Sequence, residues 1–325
     1  MAELTLVEAV NLALAREMEL DENVLLLGED IGVNGGVFRA TVGLQARYGR
    51  ERVIDTPLAE AAIAGVAIGM AAMGLRPVAE IQFTGFIYPT IDQMINHASR
   101  LRHRTRGRLT CPMVLRSPCG AGIHAPEHHS ESPEAFFAHM PGLRVVIPSS
   151  PARAYGLLLA AIRDPDPVVF LEPTRLYRLF REEVADNGEA LPLDACFLSR
   201  EGGDATIVAW GAMVREALAA ADMLEQEGVD VEVIDVATLK PLDTETILRS
   251  VEKTGRCVIV HEAPRTAGFG AEIAAEIAER ALYSLLAPIK RVTGYDVVVP
   301  LAKLENQYMP SVERIADAVR QAMMG

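Results

Sequence analysis

The sequence predicts an α/β protein in which a larger domain with a parallel sheet is followed by a smaller α/β domain. Two observations carry this: short β-branched apolar runs alternate with longer helical patterns, and the alternation restarts after a polar, irregular stretch past mid-chain. A third is length, since 325 residues exceed what a single core usually serves.

Taken in order, the apolar runs at residues 24–27, 77–83, 113–115, 145–147 and 168–171 predict strands. Helical patterns fall at 59–73, 91–102 and 151–163, the last with Pro151 in its opening turn. Such helices would cover both sheet faces. Through Asp186-Asn187-Gly188 and Glu201-Gly202-Gly203 the chain turns polar. The expected organisation is therefore domain 1–185, linker 186–203 and domain 204–325. In the second part, strands are expected at 206–209, 231–236, 257–260 and near Arg291, with helices at 214–226, 244–253, 271–285 and 312–323.

The formal net charge of −13 disfavours nucleic acid or an anionic membrane as a primary partner, because both demand a dominant positive field. One local exception, Arg100, Arg102, Arg104, Arg106 and Arg108 around His103, reads as a solvated or subunit-contacting surface. The apolar stretch 61–73 is Ala- and Gly-rich and falls short of the ~20 residues that span a bilayer. Cys111, Cys119, Cys196 and Cys257 form no metal or redox pair, which suits a reducing cytoplasm. The N-terminal residues enter an amphipathic pattern (Leu6, Val10, Leu14) capped by Thr5, so no signal or transit peptide is expected.

Two segments carry residues suited to chemistry. Glu60 ends Asp55-Thr56-Pro57-Leu58-Ala59-Glu60 and opens a helix with Gly65 and Gly69 on one face. Read alone, Glu60 complements the positive helix end, worth about 0.3 to 1 kcal/mol, and the glycines permit close packing. Residues 118–129 place His124, His128 and His129 in a Gly-rich loop, where histidine suits proton transfer. A metal site is the rival reading, without an HExxH or an inward helical pair to support it. Neither a dinucleotide fingerprint nor a P-loop is present.

In this order, Gly28-Glu29-Asp30, Gly35-Gly36-Val37-Phe38, Asp55 to Glu60, Ala79-Glu80-Ile81-Gln82-Phe83, His129-Ser130-Glu131-Ser132-Pro133-Glu134, His261-Glu262-Ala263 and Val292-Thr293-Gly294 resemble the beta subunits of thiamine-diphosphate-dependent 2-oxo acid dehydrogenases. The likeness covers nearly the whole chain. It implies a transketolase-like pyrimidine-binding domain with a parallel sheet, then a smaller transketolase C-terminal-like α/β domain. It gives Glu60 the role of bonding the cofactor pyrimidine nitrogen para to the amino group, and His129 that of orienting substrate and assisting acyl transfer. Phe86 falls where family members carry an aromatic near the pyrimidine, a core aromatic being the alternative. The resemblance extends to potassium held by backbone carbonyls at Met113, Ala161, Ile162, Asp164 and Asp166, which leaves almost no side-chain signature.

No Gly-Asp-Gly motif followed by Asn, the element that holds magnesium and diphosphate in thiamine enzymes, is found. The resemblance therefore implies half a site, completed by an alpha subunit in an alpha-two beta-two heterotetramer that works with a lipoyl acyltransferase core. Residues 32–41 and Phe86 are most similar to pyruvate-type members, and branched-chain 2-oxo acids are the close second. A self-contained transketolase-like or deoxyxylulose phosphate synthase enzyme should also carry the diphosphate motif. A non-catalytic assembly subunit would have no need of both Glu60 and His129.

Overall fold

The computed structural model describes residues 2–325. They form two compact units: residues up to Cys119 with Phe136–Leu193, and Gly120–Ala135 with Asp194–Gly325.

The first unit contains β1 (Ala2–Leu4), β2 (Val24–Gly28), β3 (Val53–Asp55), β4 (Arg76–Glu80), β5 (Val114–Cys119), β6 (Arg144–Val146), β7 (Val168–Pro173) and β8 (Glu182–Val184). Its main sheet runs in the order β6-β7-β5-β4-β2-β3, every pair parallel. All residues of β2, β5 and β7 are buried. That is why residues 24–27, 114–115 and 168–171 read as continuous apolar runs rather than alternating ones, although β5 and β7 go on to bury Arg116 and Glu172 as well. Strands β1 and β8 pair apart from it, antiparallel.

The helix Leu6–Leu20 begins as its sequence predicts: the Glu8 carboxylate accepts from the Thr5 N–H and the Thr5 hydroxyl, each at 2.8 Å, closing the first turn. It packs against the helix Pro151–Arg163, fastened by Arg163 donating to both oxygens of the Glu17 carboxylate at 2.6 and 3.0 Å. The helix expected at 91–102 is broken instead: Ile91–Asn96 ends at His97, and a 3₁₀ turn Ala98–Arg100 leads into Leu101–Arg104. The Ser99 hydroxyl donates to the Ile95 carbonyl at 2.7 Å, a bond that competes with the helical ladder.

The second unit contains β9 (Phe197–Arg200), β10 (Ala205–Ala209), β11 (Val231–Asp235), β12 (Thr238–Lys240), β13 (Cys257–Pro264) and β14 (Lys290–Gly294). Its sheet runs β14-β13-β10-β11-β9, parallel except for the antiparallel edge strand β9. Strand β9 lies inside the stretch expected as linker 186–203. Leu198 and Ser199 are both exposed, so this edge strand offers no apolar run to detect. The helix expected over 271–285 ends at Arg280; a 3₁₀ turn, Leu282–Ser284, follows, after which the Leu286 N–H donates to the Gly255 carbonyl at 2.8 Å. Helices Met213–Glu225, Thr244–Thr254 and Val312–Met323 complete the layers. No helix of the described residues is long and apolar enough to cross a membrane.

Candidate active site

Because the main sheet of the first unit is parallel, the carboxyl ends of its strands share one edge, where α/β proteins bind ligands. Glu29 follows β2, the segment 56–60 follows β3 and 81–86 follows β4. Since β2 lies between β3 and β4, these segments emerge side by side.

Glu60 is the first residue of the helix Glu60–Ala72, whose N-cap, Ala59, offers no capping side chain. The free N–H groups leave partial positive charge there, and the half-exposed Glu60 carboxylate complements it. The Thr56 N–H donates to the Gly28 carbonyl at 2.9 Å, and the Asp55 carboxylate accepts from the Gly32 N–H at 2.6 Å, tying both segments to β2. Gly65 lets the Gln93 side chain approach, a Cβ there lying 3.3 Å from its amide oxygen, whereas Gly69 meets nothing within 4 Å.

Glu29 is the candidate that sequence reasoning passes over. It is 6% exposed, and its Oε1 makes no hydrogen bond among the described residues. Burial raises its pKa, the Glu60 charge adds to the shift and the Asp30 charge adds less. One buried carboxyl and one half-exposed carboxylate therefore repel each other at the start of one helix. The signal was Gly28-Glu29-Asp30 directly after a buried strand, but a charged pair after a strand is common in surface turns.

Phe86 closes the 3₁₀ turn Thr84–Phe86, which is pinned by the Thr84 hydroxyl donating to the Pro118 carbonyl at 2.8 Å. Its half-exposed ring meets Phe83 edge-on at 6.1 Å, and Phe83 meets Phe38 at 5.4 Å. Beneath this edge, the register sets Glu80 beside Arg116. Arg116, 2% exposed, donates to both oxygens of Glu172 at 2.8 Å and also to Glu80, while the Tyr177 hydroxyl donates to Glu172 at 2.6 Å. Burial raises the Glu80 pKa, against the opposing pull of Arg116. The left-handed Gly36 (φ 76°) rests on Glu80, where a Cβ would come within 2.8 Å of its carboxylate.

His129 belongs to the second unit, in the turn Glu127–His129. Its N–H donates to the Pro126 carbonyl at 2.9 Å and its ring lies 4.0 Å from that of His128. Burial lowers its pKa and the neighbouring His128 lowers it further, so the ring is readily neutral near pH 7 and able to accept a proton.

The five carbonyl positions lie elsewhere, at the amino-terminal edge of the first unit's sheet. Met113 precedes β5, Ala161 and Ile162 end the helix Pro151–Arg163, and Asp164 and Asp166 precede β7. The Met113 carbonyl accepts from the Val168 N–H at 3.0 Å. Arg76 donates to the Ile162 carbonyl at 2.8 Å and more weakly to that of Asp164 at 3.4 Å. Backbone carbonyls are hard oxygen donors of the kind that alkali and alkaline-earth cations take, and those of Met113, Ile162 and Asp164 already accept these hydrogen bonds. Arg76 already supplies part of the positive charge. No group of three or more His, Cys, Asp or Glu side chains placed to hold a metal occurs among the described residues.

A buried carboxyl oxygen with an open bonding position, a carboxylate at a helix start and a half-exposed aromatic ring together fit a flat heteroaromatic group that carries ring nitrogens. Residues 2–179 match the family model described as transketolase, pyrimidine binding domain, and residues 195–315 match transketolase, C-terminal domain. Among solved structures, a split gene transketolase in an inactive beta4 tetramer superposes with a TM-score of 0.82 over 99% of both chains at 24% identity, a likeness of fold. The chain is 51% identical over 321 residues to a pyruvate dehydrogenase E1 component subunit beta from Acholeplasma laidlawii, covering 99% of this chain and 98% of that one. It is 49% identical over 323 residues to the protein of the same name from Bacillus subtilis (strain 168), covering 99% of both. The chain belongs to the transketolase-domain family that includes the pyruvate dehydrogenase E1 beta subunits.

Proposed function

We propose that the chain is the beta half of a thiamine-diphosphate-dependent dehydrogenase that oxidatively decarboxylates pyruvate and passes the acyl group to a lipoyl acyltransferase. The observation that carries this reading is identity near one half, 51% and 49%, across 99% of the chain to beta subunits so named. The carboxylate at the start of a helix on the ligand-binding edge of the sheet agrees with it.

When bound, thiamine diphosphate supplies a thiazolium carbon that becomes nucleophilic on losing its proton. In this reading Glu60 holds the aminopyrimidine by the ring nitrogen para to the amino group, favouring the tautomer able to take that proton. Phe86 packs its ring against the pyrimidine, and His129, readily neutral, orients the oxo acid and assists acyl transfer. An alpha subunit contributes the diphosphate and magnesium contacts, in an alpha-two beta-two assembly. Potassium is held by the carbonyls of Met113, Ala161, Ile162, Asp164 and Asp166. A reducing cytoplasm suits four cysteines that form no disulfide, of which Cys111, Cys119 and Cys257 are buried.

The test is 2-oxo acid decarboxylation, read with an artificial electron acceptor, by this chain with an alpha chain, thiamine diphosphate and magnesium, beside each chain alone. Glu60→Gln keeps the shape and removes the proton-directing charge, so the rate should fall by about 10² to 10⁴-fold. Pyruvate should be turned over faster than 3-methyl-2-oxobutanoate; the reverse order would assign the chain to branched-chain oxo acids. Repeating the assay with sodium in place of potassium should slow it, and equal rates would remove the carbonyl site from the account.

A further inference from the structure

The loop that leads to His129 is folded around a carboxylate from far along the chain. The Gly122 N–H donates to Glu305 Oε1 at 2.8 Å, across 183 residues of sequence, and the His124 N–H donates to Oε2 at 3.1 Å. The His124 ring adds a third contact, its Nδ1 lying 2.6 Å from Oε2. Glu305 is 1% exposed, and all these residues belong to the second unit.

The backbone is left-handed at Gly120 (φ 80°), Gly122 (φ 97°) and His124 (φ 59°). Alternating left-handed positions turn neighbouring N–H groups to one side and make a concavity that binds an anion. A non-glycine residue is strained in this conformation and persists there only where its surroundings over-determine it. The Glu305 carboxylate, with three contacts, does that for His124. Two further anchors hold the far part of the loop: the Gly120 N–H donates to the Glu131 carbonyl at 2.8 Å, and the Trp210 indole N–H donates to the buried Glu134 at 3.3 Å.

We propose that Glu305 is a positioning residue: its carboxylate fills the cradle made by Gly122 and His124 and thereby fixes the loop that presents His129. The proposal rests on the reading of His129 as the acyl-transfer residue. A buried carboxylate spent on a half-exposed loop is otherwise an expensive way to stabilise a fold, since its desolvation must be offset by every bond it makes.

The experiment uses the chain assembled with its alpha subunit, comparing Glu305→Gln and His129→Gln with the parent. Three readings are taken: amide hydrogen exchange over residues 120–129, decarboxylation with an artificial electron acceptor, and reductive acyl transfer to a lipoyl domain. Glu305→Gln keeps the volume but sets an amide N–H against a backbone N–H. Exchange in the loop should quicken by about tenfold or more. The kcat for acyl transfer should fall by about tenfold, as for a misplaced reacting group, and by clearly more than the artificial-acceptor rate, which falls only as far as His129 orients the oxo acid, with the thermal midpoint unchanged. Equal losses in both activities, tracking a fall in thermal midpoint, would make Glu305 a stabilising residue only and overturn the proposal. Unchanged exchange and unchanged acyl transfer, with His129→Gln impaired, would overturn it as well. Full acyl transfer by His129→Gln would instead remove the reading of His129, and the exchange result would still decide whether the cradle holds the loop. Should Glu305→Gln fail to assemble, Glu305→Asp, shorter by one methylene, gives the same three readings.

Discussion

His261 is fully buried in the second unit, stacked at 5.0 Å and 13° on the Trp210 indole. A Cβ at Gly268 or Gly270 would come within 2.7 to 2.8 Å of its ring, so glycine there is what lets the imidazole fit. Burial pushes its pKa down to about 4, against a partial opposing contact from the Ala263 backbone. The folded-state value lies below the unfolded one near 6.5, so the native protein binds fewer protons and favours the neutral ring. Its stability is intact above pH 6.5 and is lost as pH falls through 4, by about 3 kcal/mol in all. His261→Leu should flatten that part of the pH dependence in urea unfolding between pH 6.5 and 4. Parallel curves for the variant and the parent would show that the ring does not titrate on unfolding. Burial likewise pushes the Cys111 and Cys257 thiols up to about 12, which leaves them inert toward alkylation at neutral pH.

At the level of strands, the register that sets Glu80 beside Arg116 puts one guanidinium between two carboxylates, with Tyr177 closing the group. Breaking a buried pair by removing one partner costs about 3–5 kcal/mol. Arg116→Met should therefore lower thermal stability by that order, because Glu80 and Glu172 are left buried without a cation; a loss under about 1 kcal/mol would mean that water reaches them. None of this is legible in sequence: Glu80, Arg116 and Glu172 sit in separate strands, and only strand order joins them. Two of the long amphipathic helices, by contrast, were readable to the residue, whereas the one expected over 271–285 stops at Arg280. Pro151–Arg163 and Val312–Met323 have caps, Ser150 accepting from the Arg153 N–H and Ser311 from the Arg314 N–H, together with an apolar stripe. Three-residue strands such as β3 and edge strands such as β9 carry too few buried positions to leave a pattern.

For the whole molecule, the two α/β units follow from the alternation of apolar runs and helical patterns. The allegiance of residues 120–135 to the second unit does not. That segment lies between β5 and residues of the first unit in sequence, and what assigns it are the bonds to Glu305 and Trp210, which no local pattern foretells. Of the candidate site, Glu60 was legible through its place in the first turn of an apolar helix and through the family resemblance. Glu29 was not, because its significance lies in burial and in nearness to Glu60. In the proposed assembly this chain carries the pyrimidine-binding half of a divided cofactor site. Titration calorimetry with thiamine diphosphate and magnesium on this chain, on its alpha partner and on their mixture tests it most directly. Saturable binding in the mixture alone, weakened by Glu60→Gln, is the predicted result; stoichiometric binding to this chain by itself, or binding in the mixture indifferent to Glu60→Gln, would contradict the account.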